Sequence, residues 1–185
     1  KAGEAKFSYD GMYAVQRQAK RLDVMNLQQF AQYSNDMAAE VAGRDSRVEF
    51  RDPSLLGNGT NWQDAVFQIA PMQSHTVSAQ GGNETVKYFV SGSYLGQDGT
   101  VKGTEFKRYS FRSNLDAQLK KWLKMGVNMT YSNTDERLGL VDSDEGILNI
   151  ALLSTPDVPI YDMNGNFTSV SREGVASRVN PIAKS

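Results

Sequence analysis

Apolar and polar residues alternate with a period of two through four long runs between Gln73 and Asn133. In the clearest run Tyr109, Phe111, Ser113, Leu115, Ala117 and Leu119 share one parity. Arg108, Ser110, Arg112, Asn114, Asp116 and Gln118 share the other. Alternation sustained over this length means a β-strand with one dry and one wet face. Leu123, Met125, Val127, Met129 and Tyr131 repeat the pattern against Lys124, Gly126, Asn128, Thr130 and Ser132. Upstream, Val86, Tyr88, Val90, Gly92 and Tyr94 oppose Lys87, Ser91 and Ser93, with Phe89 and Leu95 as exceptions. His75, Val77 and Ala79 oppose Ser74, Thr76, Ser78 and Gln80. Near the start, Phe7, Tyr9 and Tyr13 alternate with Lys6, Ser8 and Asp10. The pattern therefore predicts strand 1 over about 5–13 and strands 2–5 over about 73–133.

The joints differ in length. Gly81-Gly82-Asn83-Glu84 and Lys120-Lys121-Trp122-Leu123 are tight turns, and Gln97 to Gly103 is a short connection. Residues 14–72 and 134–185 are long connections. The first carries a helix predicted over Leu27, Phe30, Ala31, Tyr33, Ser34, Met37, Ala38 and Val41, capped by Asp23 or Asn26, with Gly43 as its stop. A second short helix follows Asn61 and is ended by Pro71. In the last connection Asp144 can cap an apolar helix from Ile147 to Leu153, and a hairpin is expected around Asn164-Gly165.

Composition narrows the chemistry. The chain of 185 residues has a formal net charge of -1, which gives no signal for nucleic acid. It has no cysteine, hence no disulfide frame and no cysteine metal site, and its one histidine rules out a His-pair zinc site within the chain. His75 as a general base has no Ser-His-Asp company. Asp162-Met163-Asn164-Gly165-Asn166 lacks the acidic spacing of a calcium loop and reads as a turn. Asp142, Asp144 and Glu145 read as loop and helix-cap residues, so no enzyme and no cofactor is expected. Trp62 and Phe67 could stack on a ligand; the plainer reading is that they pin a loop.

What the dry face meets decides the class. In a soluble sandwich two dry faces meet; in an outer-membrane barrel they meet lipid. Strands of roughly 10–15 residues exceed the usual ~5–6 and suit a tilted membrane strand of ~9–11. Tyr94, Tyr109 and Tyr131 gather at one level, Tyr88 and Trp122 at another, as two interfaces would select. Tiny turns alternate with long loops, as in barrels with short periplasmic turns. The expected fold is all-β, an arc of a large antiparallel transmembrane β-barrel with helix-containing extracellular loops at 14–72 and 134–185. Lys87, Arg108, Arg112, Asn114, Asp116, Lys124 and Asn128 would face the lumen. Tyr88, Val90, Tyr94, Tyr109, Phe111, Leu115, Met125, Val127, Met129 and Tyr131 would face lipid.

Several blocks resemble the SusC/RagA family of TonB-dependent outer-membrane transporters. They are Thr60-Asn61-Trp62-Gln63-Asp64-Ala65-Val66-Phe67, Ala70-Pro71-Met72-Gln73-Ser74-His75, and Gly81-Gly82-Asn83-Glu84 with Tyr88-Phe89-Val90-Ser91-Gly92-Ser93-Tyr94. Gly96-Gln97-Asp98-Gly99-Thr100-Val101-Lys102-Gly103, followed by Phe106-Lys107-Arg108-Tyr109-Ser110-Phe111-Arg112, continues the series. The resemblance implies a barrel of about 22 strands closed by an N-terminal plug. It implies import of oligosaccharides or peptides in Bacteroidota, a SusD-like surface lipoprotein as lid, and energy through TonB. On that scheme the chain begins just after the plug, reads as a piece of something longer, and resides in the outer membrane. The rival reading is a soluble β-rich carbohydrate-binding or adhesion domain built around Trp62 and the tyrosines.

Overall fold

A computed structural model describes residues 4–40, 50–139, 146–172, 175–178 and 180–184. Seven strands and three α-helices occur among them. They are β1 (Lys6–Gln16), β2 (Ala70–Gly82), β3 (Val86–Asp98), β4 (Glu105–Lys120), β5 (Leu123–Arg137), β6 (Val170–Arg172), β7 (Val175–Arg178), α1 (Leu27–Glu40), α2 (Trp62–Val66) and α3 (Ile147–Leu153). The chain divides into two compact units. The first holds Lys1–Arg17, Ile69–Thr100 and Thr104–Arg137; the second holds Gln18–Gln68, Val101–Gly103 and Leu138–Ser185.

The first unit is a meander. β1 to β5 form one sheet in chain order, every pair antiparallel. The β2–β3 turn is closed by Asn83, whose Oδ1 accepts from the backbone N–H groups of Thr85 and Val86 at 2.8 and 2.7 Å. Gly82 there has φ +146, and a Cβ on it would strike the Val86 carbonyl oxygen, so the turn needs glycine. At the β4–β5 turn Gln118 Nε2 donates to the carbonyls of Lys120 and Lys121 beside a register shift. Both tight turns lie at one end of the strands. The connections after β1, β3 and β5 leave from the other end.

The strands run beyond the ranges read from alternation. β1 continues to Gln16 rather than about 13, β2 begins at Ala70 rather than 73, and β5 ends at Arg137 rather than 133. At the ends of β1 and β2 apolar residues stand on both faces, and at the end of β5 Thr134, Asp135, Glu136 and Arg137 make both faces polar, so the period-two signal fades while the backbone ladder persists. Pro71 does not end α2, which stops at Val66; it lies inside β2 opposite Val15.

The second unit has its own small core. Trp62, Ala65, Val66, Val101, Ile147 and Ala151 pack together from three separated segments, with Phe67, Leu148, Val158, Ile160 and Ile182 around them. Asn61 caps α2 by accepting from the N–H groups of Gln63 and Asp64. Trp62 is 3% exposed and its indole N–H donates to the Thr155 carbonyl at 3.0 Å, so it pins the loop and offers no stacking face. The Gln63 side-chain amide pairs with both backbone groups of Leu22, at 2.9 and 2.8 Å. Arg21 pairs with Asp64 and lies over the Phe67 ring. This straps the extended segment before α1 onto α2.

Asn26, not Asp23, caps α1, in a reciprocal box with Gln29 at 2.9 and 3.0 Å. Ala31 is buried, but Tyr33 and Met37, expected on the inner face, are exposed. The stop at Gly43 and the cap at Asp144 lie outside the described residues; Gly146 precedes α3 without a side-chain cap bond. The turn at Asn164-Gly165 forms, with Gly165 at φ +82 and Tyr161 bridged to Phe167. Asp162 Oδ1 accepts from the N–H groups of Asn164 and Asn166, both at 2.8 Å, and its carboxyl is held below the ordinary range, first by the Asn166 backbone N–H.

Two outcomes follow. Trp62→Ala is expected to destabilise the second unit by about 3–5 kcal/mol, read as faster amide exchange at 62–66 and 147–151. Because the Asp162 carboxyl titrates lower folded than unfolded, its support of the turn is complete above the ordinary carboxylate range. That support is lost as pH falls through the lowered value. The Asn164 and Asn166 amide resonances are expected to shift there, and in Asp162→Asn they stay constant.

Candidate functional site

The functional surface of the first unit is the pair of faces that its register creates. Tyr9, Val77, Gly92, Phe111 and Tyr131 form one unbroken row across five strands. The row toward the tight turns is Phe7, Ala79, Val90, Ser113 and Met129. Beyond it come Gly81, Tyr88, Leu115 and Val127, then Ala117 and Met125. A one-residue slip of any strand would send its whole apolar set to the opposite face. All ten residues assigned to the dry face therefore lie together: Tyr88, Val90, Tyr94, Tyr109, Phe111, Leu115, Met125, Val127, Met129 and Tyr131. Phe7, Tyr9, Tyr13 and Val15 of β1 join them.

The apolar band has two rims. Toward the long connections four rings stand side by side on four strands. Tyr9 and His75 are stacked at 6.1 Å and hydrogen-bonded, Oη to Nδ1, at 2.7 Å. His75 and Tyr94 stack at 6.5 Å, and Tyr94 meets Tyr109 at 5.1 Å. Immediately beyond the row the same face becomes charged on β4 and β5, while β1 keeps Tyr13 and Val15 there. Lys107 is ion-paired with Glu105, and Asp135 and Arg137 stand opposite them on β5. At the other rim lie Tyr88, Leu119 and Trp122, with Lys120 over the Trp122 ring. From Tyr109 to Leu119 the strand rises roughly 34 Å at ~3.4 Å per residue. At a tilt of ~45° that gives a height of roughly 24 Å, near the ~25 Å of an outer-membrane apolar band. Tyrosines also cover backbone: a Cβ on Gly11, Gly81 or Gly96 would lie 2.5–2.7 Å from the hydroxyl of Tyr9, Tyr88 or Tyr94.

The opposite face carries Lys87, Arg108, Arg112, Asn114, Asp116, Lys124 and Asn128, which share one side of the sheet. Lys87 stands opposite Asp116, Asn114 opposite Asn128, and Gln118 opposite Lys124. Between them runs a field of hydroxyls, in which Ser8 and Ser78 are bonded at 2.7 Å. An open cleft of about 680 Å³ lies at the tight-turn end, lined by Lys6, Gln80, Glu84 and Lys87 among others. Apolar side chains also interrupt this face, at Met12, Met72, Phe89, Leu95 and Phe106, and sequence reasoning singled out only Phe89 and Leu95. The signal was present as the exceptions to alternation.

Among the described residues no group of three metal-ligating side chains exists. No helix among them is long and apolar enough to cross a membrane, which says nothing of strands. His75, once weighed as a base, is a member of the ring row.

No family model matches the chain. The TonB-dependent receptor P26 of Formosa agariphila is 35% identical over 152 residues, covering 82% of this chain and 14% of that protein. The TonB-dependent receptor SusC of Bacteroides thetaiotaomicron is 30% identical over 165 residues, covering 87% and 15%. The RagAB peptide importer in its open-open state matches 99% of this chain and 24% of its own at TM-score 0.75 and 19% identity. In its closed-closed state it matches the same shares at TM-score 0.70 and 17% identity. The chain is a segment of a SusC/RagA-type TonB-dependent receptor. It spans about a seventh of the length of the curated relatives it matches. Its all-β antiparallel sheet is the barrel-type fold of the RagAB structures. This SusC/RagA-type segment thus presents one banded apolar face and one polar face, the two surfaces a barrel wall requires.

Proposed function

We propose that the segment supplies five neighbouring strands to the wall of an outer-membrane importer. The observation that carries this is the apolar band of membrane height, rimmed by rings on a sheet whose β1 and β5 each leave one edge without a partner among the described residues. Open edges and an uncovered apolar face are costly in water and are resolved together by closure within lipid. β5 is exposed along its whole length, as a strand awaiting its next neighbour would be.

On this reading the ten apolar-face residues from Tyr88 to Tyr131 meet lipid. Lys87, Arg108, Arg112, Asn114, Asp116, Lys124 and Asn128 line a hydrated lumen, where charge-assisted hydrogen bonds seat a plug. The barrel has about 22 strands in all. The connections 17–69 and 138–185 lie at the cell exterior and meet a SusD-like lipoprotein. TonB acts through the plug. The cargo is an oligosaccharide or a peptide; the RagAB structures, named for peptide import, support the second. The protein resides in the outer membrane of a Bacteroidota-type cell and is a carrier without catalytic chemistry.

Topology is testable by cysteine labelling of the full-length protein in intact cells. Met163→Cys, at a site 105% exposed, and Leu55→Cys are expected to react with an impermeant maleimide. Trp122→Cys is expected to react only after the outer membrane is permeabilised; the reverse pattern overturns the topology. The lipid assignment predicts that Leu115→Arg, near the middle of the band, costs ~2–4 kcal/mol in denaturant unfolding from vesicles. Asn114→Arg on the other face is expected to cost much less. Equal costs would count against a lipid-facing band.

A further inference from the structure

The β4–β5 turn breaks the alternation that governs both faces. Counting by twos from Arg108 places Lys120 on the polar face with Gln118. A register shift between Gln118 and Lys120 changes that: Gln118 lies opposite Lys124, but Lys120 lies opposite Leu123. Residues directly opposite share a side of the sheet, and Leu123 belongs to the apolar set of β5 with Met125 and Val127. The bulge therefore carries Lys120 across to the apolar face, since an extra residue re-aims the side chains that follow it. Its ammonium stands 5.8 Å from the centroid of the Trp122 ring. The Gln118 carboxamide donates to the carbonyls of Lys120 and Lys121 at 2.9 and 3.2 Å, so the backbone presenting both lysines is tied down.

No carboxylate compensates these two cations. From Ala117 to Thr134 the chain has three lysines and no Asp or Glu. Neither Lys120 nor Lys121 has an ion-pair partner among the described residues. Glu84 and Asp116 instead line an open cleft with Lys87 and Lys124, to which Lys120 and Lys121 do not contribute. The other rim of the apolar face is balanced: Lys107 lies opposite Asp135, and Glu105 opposite Arg137. Beside the two lysines Trp122 is 77% and Leu119 56% exposed. A turn that only had to stay wet would need neither. Lysine and tryptophan suit a membrane interface because each joins an apolar body to a polar end. A zwitterionic headgroup brings its own ammonium and leaves the lysines uncompensated, whereas an anionic one supplies the missing charge.

We propose that the β4–β5 turn binds the phosphodiester of an anionic phospholipid, with Lys120 and Lys121 on the phosphate and Trp122 against the acyl chain. This rests on the membrane-wall reading above and names the lipid at one rim of that wall. The apolar set Val127, Met125 and Leu123 runs unbroken into the turn, which selects a lipid over a soluble phosphate.

The test uses the full-length protein in phosphatidylcholine nanodiscs, with bimane on Met125→Cys in a cysteine-free background. The probes are phosphatidylglycerol and phosphatidylcholine, each with a nitroxide high on the acyl chain. At about fivefold per lysine, the glycerol lipid is expected to quench at a roughly 30-fold lower fraction than the choline lipid. Lys120→Gln combined with Lys121→Gln is expected to erase the preference, and Lys120→Arg combined with Lys121→Arg to keep it. Lys124→Gln, on the polar face, is expected to leave it unchanged. A preference that survives the paired glutamines, or that Lys124→Gln abolishes, overturns the proposal. Displacement of the glycerol lipid by inorganic phosphate, but not by chloride of matched ionic strength, overturns it by assigning the site to a soluble anion. Equal quenching by the two lipids also overturns it and leaves the wall reading intact. Quenching by neither defeats the wall reading itself.

Discussion

The interaction on which everything else depends is the backbone ladder between five long antiparallel strands. Each rung fixes a register, and each register assigns a side chain to one face or the other. A one-residue slip between β3 and β4 would place Arg112 beside Val90 and Phe111 beside Ser91. The two tight turns guard against it: Asn83 locks the first through its carboxamide, and Gln118 ties down the second. Gly82 is required because no side chain fits against the Val86 carbonyl.

From that register follows a chemical division of labour. One face is apolar for a height matched to a membrane and ends at rings, then at charge. The other is mainly charged and hydroxylated, interrupted by Met12, Met72, Phe89, Leu95 and Phe106. The long connections obey different physics. They fold by burying Trp62, Val66 and Ile147 from distant segments, and by satisfying backbone groups with Asn61, Gln63 and Asn180. A sheet exposing both faces and a separately cored loop unit are consistent with a chain whose strands require neighbours and whose loops organise themselves.

The strands were legible in the amino-acid order because a half-solvated strand must alternate, and β4 does so over its whole dry band. Both sets of face residues followed directly, as did the short helices after Asn61 and at Ile147, where caps and apolar spacing are local signals. Strand ends were less legible. Ala14, Ala70 and Met72 put apolar groups on the polar face, and the periodic signal disappeared just where the ladder continued. The outward turn of Tyr33 and Met37 on α1 had no local mark, since helical spacing admits more than one apolar stripe.

The sequence by itself determined that the chain forms long two-faced strands, where they turn sharply, and which residues share a face. These are properties of local periodicity and turn chemistry. Only the tertiary structure decided which rows line up across five strands. It brought Tyr9, His75, Tyr94 and Tyr109, separated by up to a hundred residues, into one rim. It also buried Trp62 against Ile147. Such neighbours depend on register and on packing between remote segments, and neither leaves a trace in residue order.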